Sequence, residues 1–247
     1  MSTIAQQRSH PVAAKRTAKL RRFFVWFALL VAVLVLTGFT RTFFIPLVRR
    51  TFNAPWFVYV HGGLFLTWIG LLITQAALIV RRRSRVHIRV GRVAFGLVPL
   101  MLCSGIAVAY WSSARDLSQG GGDSVVSTFG GELMDMLVFG VLATAALVLR
   151  RSPQAHKRLI LLATLAVLGA AVGRIPVVGQ AANYVTVALV VAIAVYDLVV
   201  QMRLNRTTVL GGLFLLVGIF SQGILTTTTL WLNLGRTLLS LIPYGDA

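Results

Sequence analysis

Two of the four histidines in this sequence stand just before long apolar segments, at matching positions. His87 precedes the segment at residues 93–111, and His156 precedes the one at residues 159–173. Haem ligation by two histidines needs both imidazoles at one depth beside an apolar pocket, and nearby arginines can pair with the propionates. The pattern favours haem b as a candidate cofactor held by His87 and His156. The alternative is that each histidine lies at headgroup level in a lipid-binding basic loop.

A third histidine, His61, shares a helical face with Trp68 and Gln75, because residues seven apart nearly complete two turns. Ionisable groups inside a membrane span are costly, so each is a candidate site. We predict that His61 is a separate cofactor ligand or, with Asp135 at similar depth, a proton- or metal-binding site. Two or three ligands are too few to identify a metal, so no metal centre is predicted. The alternative is a stripe of polar groups that hydrogen-bond across helices.

Further charged residues lie in or beside the apolar segments. Glu132, three residues before Asp135, is interpreted as a carboxylate that stabilises the amino end of a helix. Arg174 ends the fifth segment on the same side and is expected to neutralise one of the two acids. Asp197, in the sixth segment, is expected to pair with Arg203 or another arginine of the cytoplasmic side. A role for Asp197 in a substrate path is the alternative.

Several chemistries are excluded by the residues that the sequence lacks. No lysine stands in the middle of an apolar segment to form a retinal Schiff base, and the H-E-x-x-H, G-x-S-x-G and Walker motifs are missing. Cys103 is the only cysteine, so no disulfide is predicted. Six Asp and Glu residues and four histidines leave few groups for catalysis. Catalytic residues are therefore not assigned, and enzymatic activity is left open.

The composition is that of an integral membrane protein. Of the 247 residues, 57% are apolar and 12% are charged, and the mean hydropathy is +0.83, whereas a soluble domain has about 25% charged residues. A helix needs about 20 apolar residues to cross the hydrocarbon layer. The predicted fold is an all-α bundle of seven transmembrane helices, at residues 23–40, 56–80, 93–111, 133–149, 159–173, 183–202 and 207–225.

The cations predict the orientation of this bundle. Of the 24 Lys and Arg residues, 18 fall in the amino-terminal tail and in the loops after the second, fourth and sixth segments. The positive-inside rule then places the amino terminus in the cytoplasm and the carboxyl terminus outside, in a bacterial inner membrane. The net charge of +18 is explained by this bias, so a nucleic-acid partner is not predicted. The predicted partner is anionic lipid of the cytoplasmic leaflet, and the oligomeric state is left open.

Three regions are predicted from these segments: a basic cytoplasmic tail at 1–22, the transmembrane domain at 23–225 and an outer interfacial segment at 226–247. Residues 112–131 are rich in Ser and Gly and are predicted to form a flexible solvated linker. Four leucines of the last region share a helical face, which predicts a helix that lies on the outer membrane surface; they are Leu230, Leu234, Leu238 and Leu241.

Three strings of the second to fifth segments carry a resemblance to a known family: VHGGLFLTWIGLLITQ, VHIRVGR and SPQAHKRLILLATL. In this order and spacing they resemble an uncharacterised family of bacterial multi-pass inner-membrane proteins with H…HRRLG…HKRL-type boxes. The resemblance implies location and topology, with no established reaction. It covers His61, His87, Gly91, His156, Lys157 and Arg158, and Ile88 and Val90 depart from the usual box. The layout is also loosely similar to transmembrane b-type cytochromes.

Three functions are compatible with these residues. The first is a haem- or metal-binding membrane redox component that uses His87 and His156. The second is a proton-coupled small-molecule transporter with His61, Asp135 and Asp197 as relay groups. The third is a membrane scaffold or assembly protein whose buried polar groups only fix packing. The apolar segments give no sign of a broken helix, which disfavours the transporter.

Overall fold

The computed structural model describes residues 22–241, and within them it contains helices and no strand. The first helix, α1, spans Arg22–Val48 and includes a π-helical turn at Thr40–Phe44. The others are α2 (Trp56–Val80), α3 (Ser84–Gly91), α4 (Ala94–Ser118), α5 (Asp123–Val148), α6 (Pro153–Ala166), α7 (Gly169–Val172), α8 (Ala182–Gln201), α9 (Arg206–Leu225) and α10 (Thr229–Ser240). Of the predicted tail, only Arg22 lies within the described residues.

Seven helical segments of the described chain are long and apolar enough to cross a membrane, which confirms the predicted all-α bundle. They are Arg22–Val48, Trp56–Val80, Ser84–Ser118, Asp123–Arg151, Pro153–Val172, Gly179–Gln201 and Arg206–Leu225. The fifth is the central one, because 67% of its most apolar 18-residue stretch is buried, against 11% for that of the second. Helix α6 of this segment packs on α5 and α9, and its Leu161, Leu162 and Leu165 are among the most buried side chains of the core.

The predicted linker at residues 112–131 is wrong. Helix α4 continues to Ser118 and α5 begins at Asp123, so only residues 119–122 connect them. Hydroxyl side chains are accommodated because they donate to carbonyls one turn earlier in their own helix. Ser112 Oγ donates over 2.8 Å and Thr128 Oγ1 over 2.9 Å in this way. Small and hydroxyl residues are therefore compatible with helix here, and a tight turn takes the place of the predicted linker.

Helix α10 packs against α4 and α5. The Trp231 indole Nε1 donates to the Val126 carbonyl over 3.0 Å. The predicted leucine face is exposed at Leu230, Leu234 and Leu241, while Leu238 is half-buried against the second core cluster. The helix predicted in this region is present, and its position on a membrane surface stays a prediction.

The fifth spanning segment is interrupted by one irregular turn, although its backbone stays in the right-handed helical region. Helix α6 ends at Ala166 and α7 begins at Gly169, with a turn at residues 167–168 between them. The uninterrupted apolar run gives no sign of the break, because hydropathy reports burial and not backbone conformation. Irregular backbone inside a span is tolerated where it is buried in protein or lines a cavity, so this turn marks a place at which to look for one.

Close contact between α1 and α7 depends on Gly38. A Cβ at this position would overlap the Ala171 backbone carbonyl, so Gly38→Ala must move one helix from the other. We expect a loss of about 1–3 kcal/mol in the free energy of unfolding, measured by thermal and SDS-induced unfolding in detergent micelles.

Gly63→Ala is the matched control, because a Cβ there meets no atom within 4 Å. It is expected to leave stability unchanged or raise it by up to about 1 kcal/mol, since Ala favours helix over Gly. Equal losses in the two variants would contradict the role given to Gly38.

Candidate functional site

A cavity of about 290 Å³ opens inside the helical bundle and contains four ionisable side chains. They are His61 from α2, Glu132 and Asp135 from α5, and Arg174 from the segment after α7. We name it the carboxylate cavity. Its volume is close to the lower limit for small-molecule sites, which starts at about 300 Å³.

Irregular backbone forms part of the wall of the carboxylate cavity. Thr42 and Phe43 come from the π-helical turn of α1, and Val167 and Leu168 come from the break between α6 and α7. Isolated π-helical turns are rare and frequently lie at functional sites. The π-helical turn of α1 and the irregular turn after α6 therefore line the same cavity.

The interpretation of Glu132 as a helix-capping carboxylate is wrong. Helix α5 begins at Asp123, so Glu132 lies more than two turns inside it, and Asp123 is the acid in the first turn. The error follows from the predicted linker, which hid the first turns of α5. Glu132 and Asp135 are three residues apart, so both side chains face the cavity from one side of the helix.

Two of the polar atoms at this cavity have no partner among the described residues. His61 Nδ1 and Glu132 Oε2 are both buried without a hydrogen bond. The His61 ring packs on Phe65 with 4.4 Å between centroids. Asp135 differs, since its Oδ1 accepts from Gln222 Nε2 over 2.6 Å. The acceptors of Glu132 and His61 are thus left for a molecule that enters the cavity.

Arg174 lies at the edge of the carboxylate cavity. Its Nη1 donates to the Ala170 carbonyl, and its guanidinium lies 4.9 Å from the centre of the Phe39 ring. Partial removal from water lowers the pKa of Arg174, and the neighbouring Glu132 carboxylate opposes that shift. The guanidinium group nevertheless keeps its positive charge, because arginine is not deprotonated in proteins. The neutralisation of one acid by Arg174 stays a prediction, because no ion pair within 4 Å joins Arg174 to Glu132 or Asp135 among the described residues.

A second, smaller cavity of about 80 Å³ brings together His87, His156 and Gln75. We name it the imidazole cavity. His156 Nδ1 lies 2.8 Å from the Ala146 carbonyl, so it donates there and leaves Nε2 as a potential ligand. The two histidines thus line one cavity, although a porphyrin does not fit in the space between them.

Gln75 joins α2 to α3 at the imidazole cavity. With its amide oxygen and nitrogen assigned by their partners, the nitrogen donates to the His87 carbonyl over 3.1 Å and the oxygen accepts from the Gly91 N–H over 3.0 Å. The amide nitrogen also faces His87 Nδ1. His87 Nδ1 is therefore an acceptor, and its proton lies on Nε2, the opposite of the state that a haem ligand needs.

Trp68 separates the two cavities. Its side chain lines both of them, is 3% exposed, and donates from Nε1 to Thr164 Oγ1 over 3.1 Å. The stripe predicted on α2 therefore has His61 in one cavity, Trp68 between the cavities and Gln75 in the other.

Asp197 lines neither cavity and belongs to a buried ion pair. It pairs with Arg158, and both side chains are 0% exposed. Arg158 Nε lies 3.0 Å and 3.1 Å from the two carboxylate oxygens, and Thr208 Oγ1 also donates to Asp197. The expected partner was an arginine, and it is Arg158 rather than Arg203. Arg158 Nη1 also donates to the Gln154 side chain and backbone.

The structure brings together His61, Asp135 and Arg174 in one cavity, and His87, His156 and Gln75 in the other. Sequence reasoning missed Gln222 and misassigned Glu132; an amide inside an apolar segment was the available signal for the first. No group of three or more His, Cys, Asp or Glu residues that could hold a metal occurs within residues 22–241.

Comparison with known protein families, curated proteins and solved structures finds no match to this chain. The two cavities are therefore the basis on which a function can be proposed.

Proposed function

We propose that this multi-pass membrane protein is a proton-coupled carrier of small molecules, with its binding site in the carboxylate cavity. One observation carries the proposal: a cavity of about 290 Å³ lies beside the irregular turn of the fifth span and holds two carboxylates, an imidazole and a guanidinium. A charged group in the middle of a span costs several kcal/mol or more. A scaffold has no need of His61, Glu132 and Asp135 around one cavity, whereas a carrier uses such groups to bind and release protons.

The position of Trp68 supports the same function. In a carrier, a barrier closes the binding site to one side of the membrane while the site is open to the other side. Trp68 lies between the carboxylate and imidazole cavities, and one hydrogen bond to Thr164 holds its indole. Thr164 lies just before the break in the fifth span. A rearrangement at that break therefore moves the partner of Trp68.

Proton flux across proteoliposomes tests this function. The full-length protein is reconstituted with the pH-sensitive dye pyranine inside, and phenethylammonium, 2-phenylethanol or phenylacetate is added outside. We expect at least one solute to move protons faster than in protein-free liposomes. Proton flux equal to that of protein-free liposomes with all three solutes would contradict the proposal.

Blocking the cavity provides the control. Thr42→Cys places a thiol at the cavity wall in a Cys103→Ser background, which removes the exposed native thiol. A bulky thiol reagent is expected to stop the flux in this variant and to leave the Cys103→Ser protein active. If proton flux is unchanged after complete labelling, the solute does not pass through the carboxylate cavity.

A second candidate function, a haem-binding redox component, rests on His87 and His156 sharing the imidazole cavity. The Gln75 contact and the volume of about 80 Å³ require that cavity to open before haem b enters. After haem-replete expression, a Soret band that responds to dithionite and is lost in His87→Ala and His156→Ala would favour this function. A colourless preparation would exclude it.

The orientation and location predicted from the sequence are part of the proposal. The amino terminus is placed in the cytoplasm of a bacterial cell, with the arginines of residues 81–92 against anionic lipid of the inner leaflet. The carboxylate cavity then opens toward the outer side. A periplasmic reporter fused after Ala247 is expected to be active, and activity only in the cytoplasm would reverse the orientation.

A further inference from the structure

The carboxylate cavity offers its ligand mainly hydrogen-bond acceptors. His61 Nδ1 is buried without a partner among the described residues, and in the tautomer that carries its proton on Nε2 this atom is an acceptor. Glu132 Oε2 is a second buried acceptor without a partner among residues 22–241. Asp135 adds a carboxylate that accepts from Gln222. A ligand that satisfies these atoms must be rich in N–H or O–H donors.

The charges of the cavity leave room for one more cation. Glu132 and Asp135 face a single guanidinium, that of Arg174, while His61 contributes an imidazole. Helix α9 contributes the uncharged Gln222, and α1 contributes Thr42 and aromatic rings.

From α4, Asp116 acts on Glu132 from farther away and is paired with Arg115 at 2.7 Å. One carboxylate of the cavity therefore has no countercharge. A buried carboxylate in this situation takes up a proton or pairs with a cation.

The walls of the cavity suit an apolar body with a positive end. Phe39, Phe43, Phe65 and Trp68 all line it, and the faces of such rings attract cations as well as apolar groups. The volume of about 290 Å³ equals that of roughly ten water molecules in the liquid. The space therefore suits one ring or a short chain, and excludes large solutes.

From these features we infer that the ligand is a small lipophilic ammonium ion, which exchanges with a proton on the carboxylate pair of Glu132 and Asp135. This inference rests on the proposed function and names its substrate class. The entering R–NH₃⁺ forms an ion pair with a carboxylate, the O–H bond of that carboxylic acid breaks, and the proton leaves to water. Charge is conserved, since one cation enters the cavity as one proton departs.

Calorimetry with three matched probes tests the inference on the full-length protein in detergent. Phenethylammonium, 2-phenylethanol and phenylacetate share a phenyl ring and differ in charge. The ammonium is expected to bind tightest, by about 30-fold or more over the alcohol, because it pairs with a buried charge. Titrations in two buffers of different ionisation enthalpy are expected to give about one proton released per ammonium bound.

Two variants assign the effect to the cavity. Glu132→Gln is expected to lose the preference for the ammonium over the alcohol, while Asp123→Asn, which changes an exposed acid paired with Arg236, is expected to keep it. Tighter binding of the alcohol or phenylacetate would overturn the ammonium class and leave the carrier function standing. Absence of binding by all three probes, with no proton flux in proteoliposomes, would overturn both.

Discussion

Replacing Asp197 by Leu is expected to lower the free energy of unfolding by about 3–5 kcal/mol, because it leaves the Arg158 guanidinium buried without its counterion. Both side chains are 0% exposed. Thr208 also loses its acceptor. The measurement is SDS-induced unfolding of the purified protein in detergent micelles, followed by circular dichroism.

A double variant separates charge from packing. Arg158→Met combined with Asp197→Leu removes both charges and keeps an apolar filling, so most of the lost stability is expected to return. If the double variant is as unstable as Asp197→Leu alone, the loss comes from packing and the argument from charge is wrong.

The matched control is another ion pair of this chain that lies near the surface. Asp123 pairs with Arg236, and their side chains are 57% and 50% exposed. Asp123→Leu is expected to cost no more than about 1 kcal/mol, since exposed pairs contribute little.

The second large effect is expected on activity instead of stability. Asp135→Asn should lower solute-driven proton flux about 100-fold or more, the usual cost of losing a positioned proton-transfer group. The amide oxygen of Asn can still accept from Gln222, as Asp135 Oδ1 does over 2.6 Å. Stability in the SDS assay is therefore expected to change by less than about 1 kcal/mol.

Asp116→Asn is the control for this loss of flux. Asp116 is half-exposed, paired with Arg115, and does not line the carboxylate cavity. Its replacement is expected to leave the flux unchanged. Full flux in Asp135→Asn would remove Asp135 from the proton path, whereas equal losses in both variants would point to a general effect of charge on the membrane protein.

The number and type of spanning segments could be predicted from hydropathy, because crossing hydrocarbon requires long apolar helices. Two features could not be predicted in this way. Ser and Gly between α4 and α5 suggested a linker, yet Ser112 satisfies its hydroxyl within the helix. The break after Ala166 lies inside an apolar run, where composition carries no information about backbone conformation.

Part of the candidate site could be predicted from the sequence. The cost of burying charge in a membrane is enough to single out His61, Asp135 and Arg174 from their positions in the chain, and they line one cavity. Glu132 was misread because its role depends on where α5 begins. Arg158 as the partner of Asp197 depends on how α6 and α8 pack, and a periodic pattern within one helix does not report contacts between helices.

The position of Trp68 between the two cavities also has an electrical consequence. A cavity that fills with water from one side of the membrane takes the potential of that side, so the transmembrane voltage falls mainly across whatever separates the two cavities. Here that separation is the indole of Trp68 and its hydrogen bond to Thr164. A charge that crosses this layer gains nearly the full value of about 2.3 kcal/mol per 100 mV. In the proposed carrier the voltage therefore acts mainly beside Thr164, and we expect the rate of ion movement past Trp68 to depend steeply on voltage.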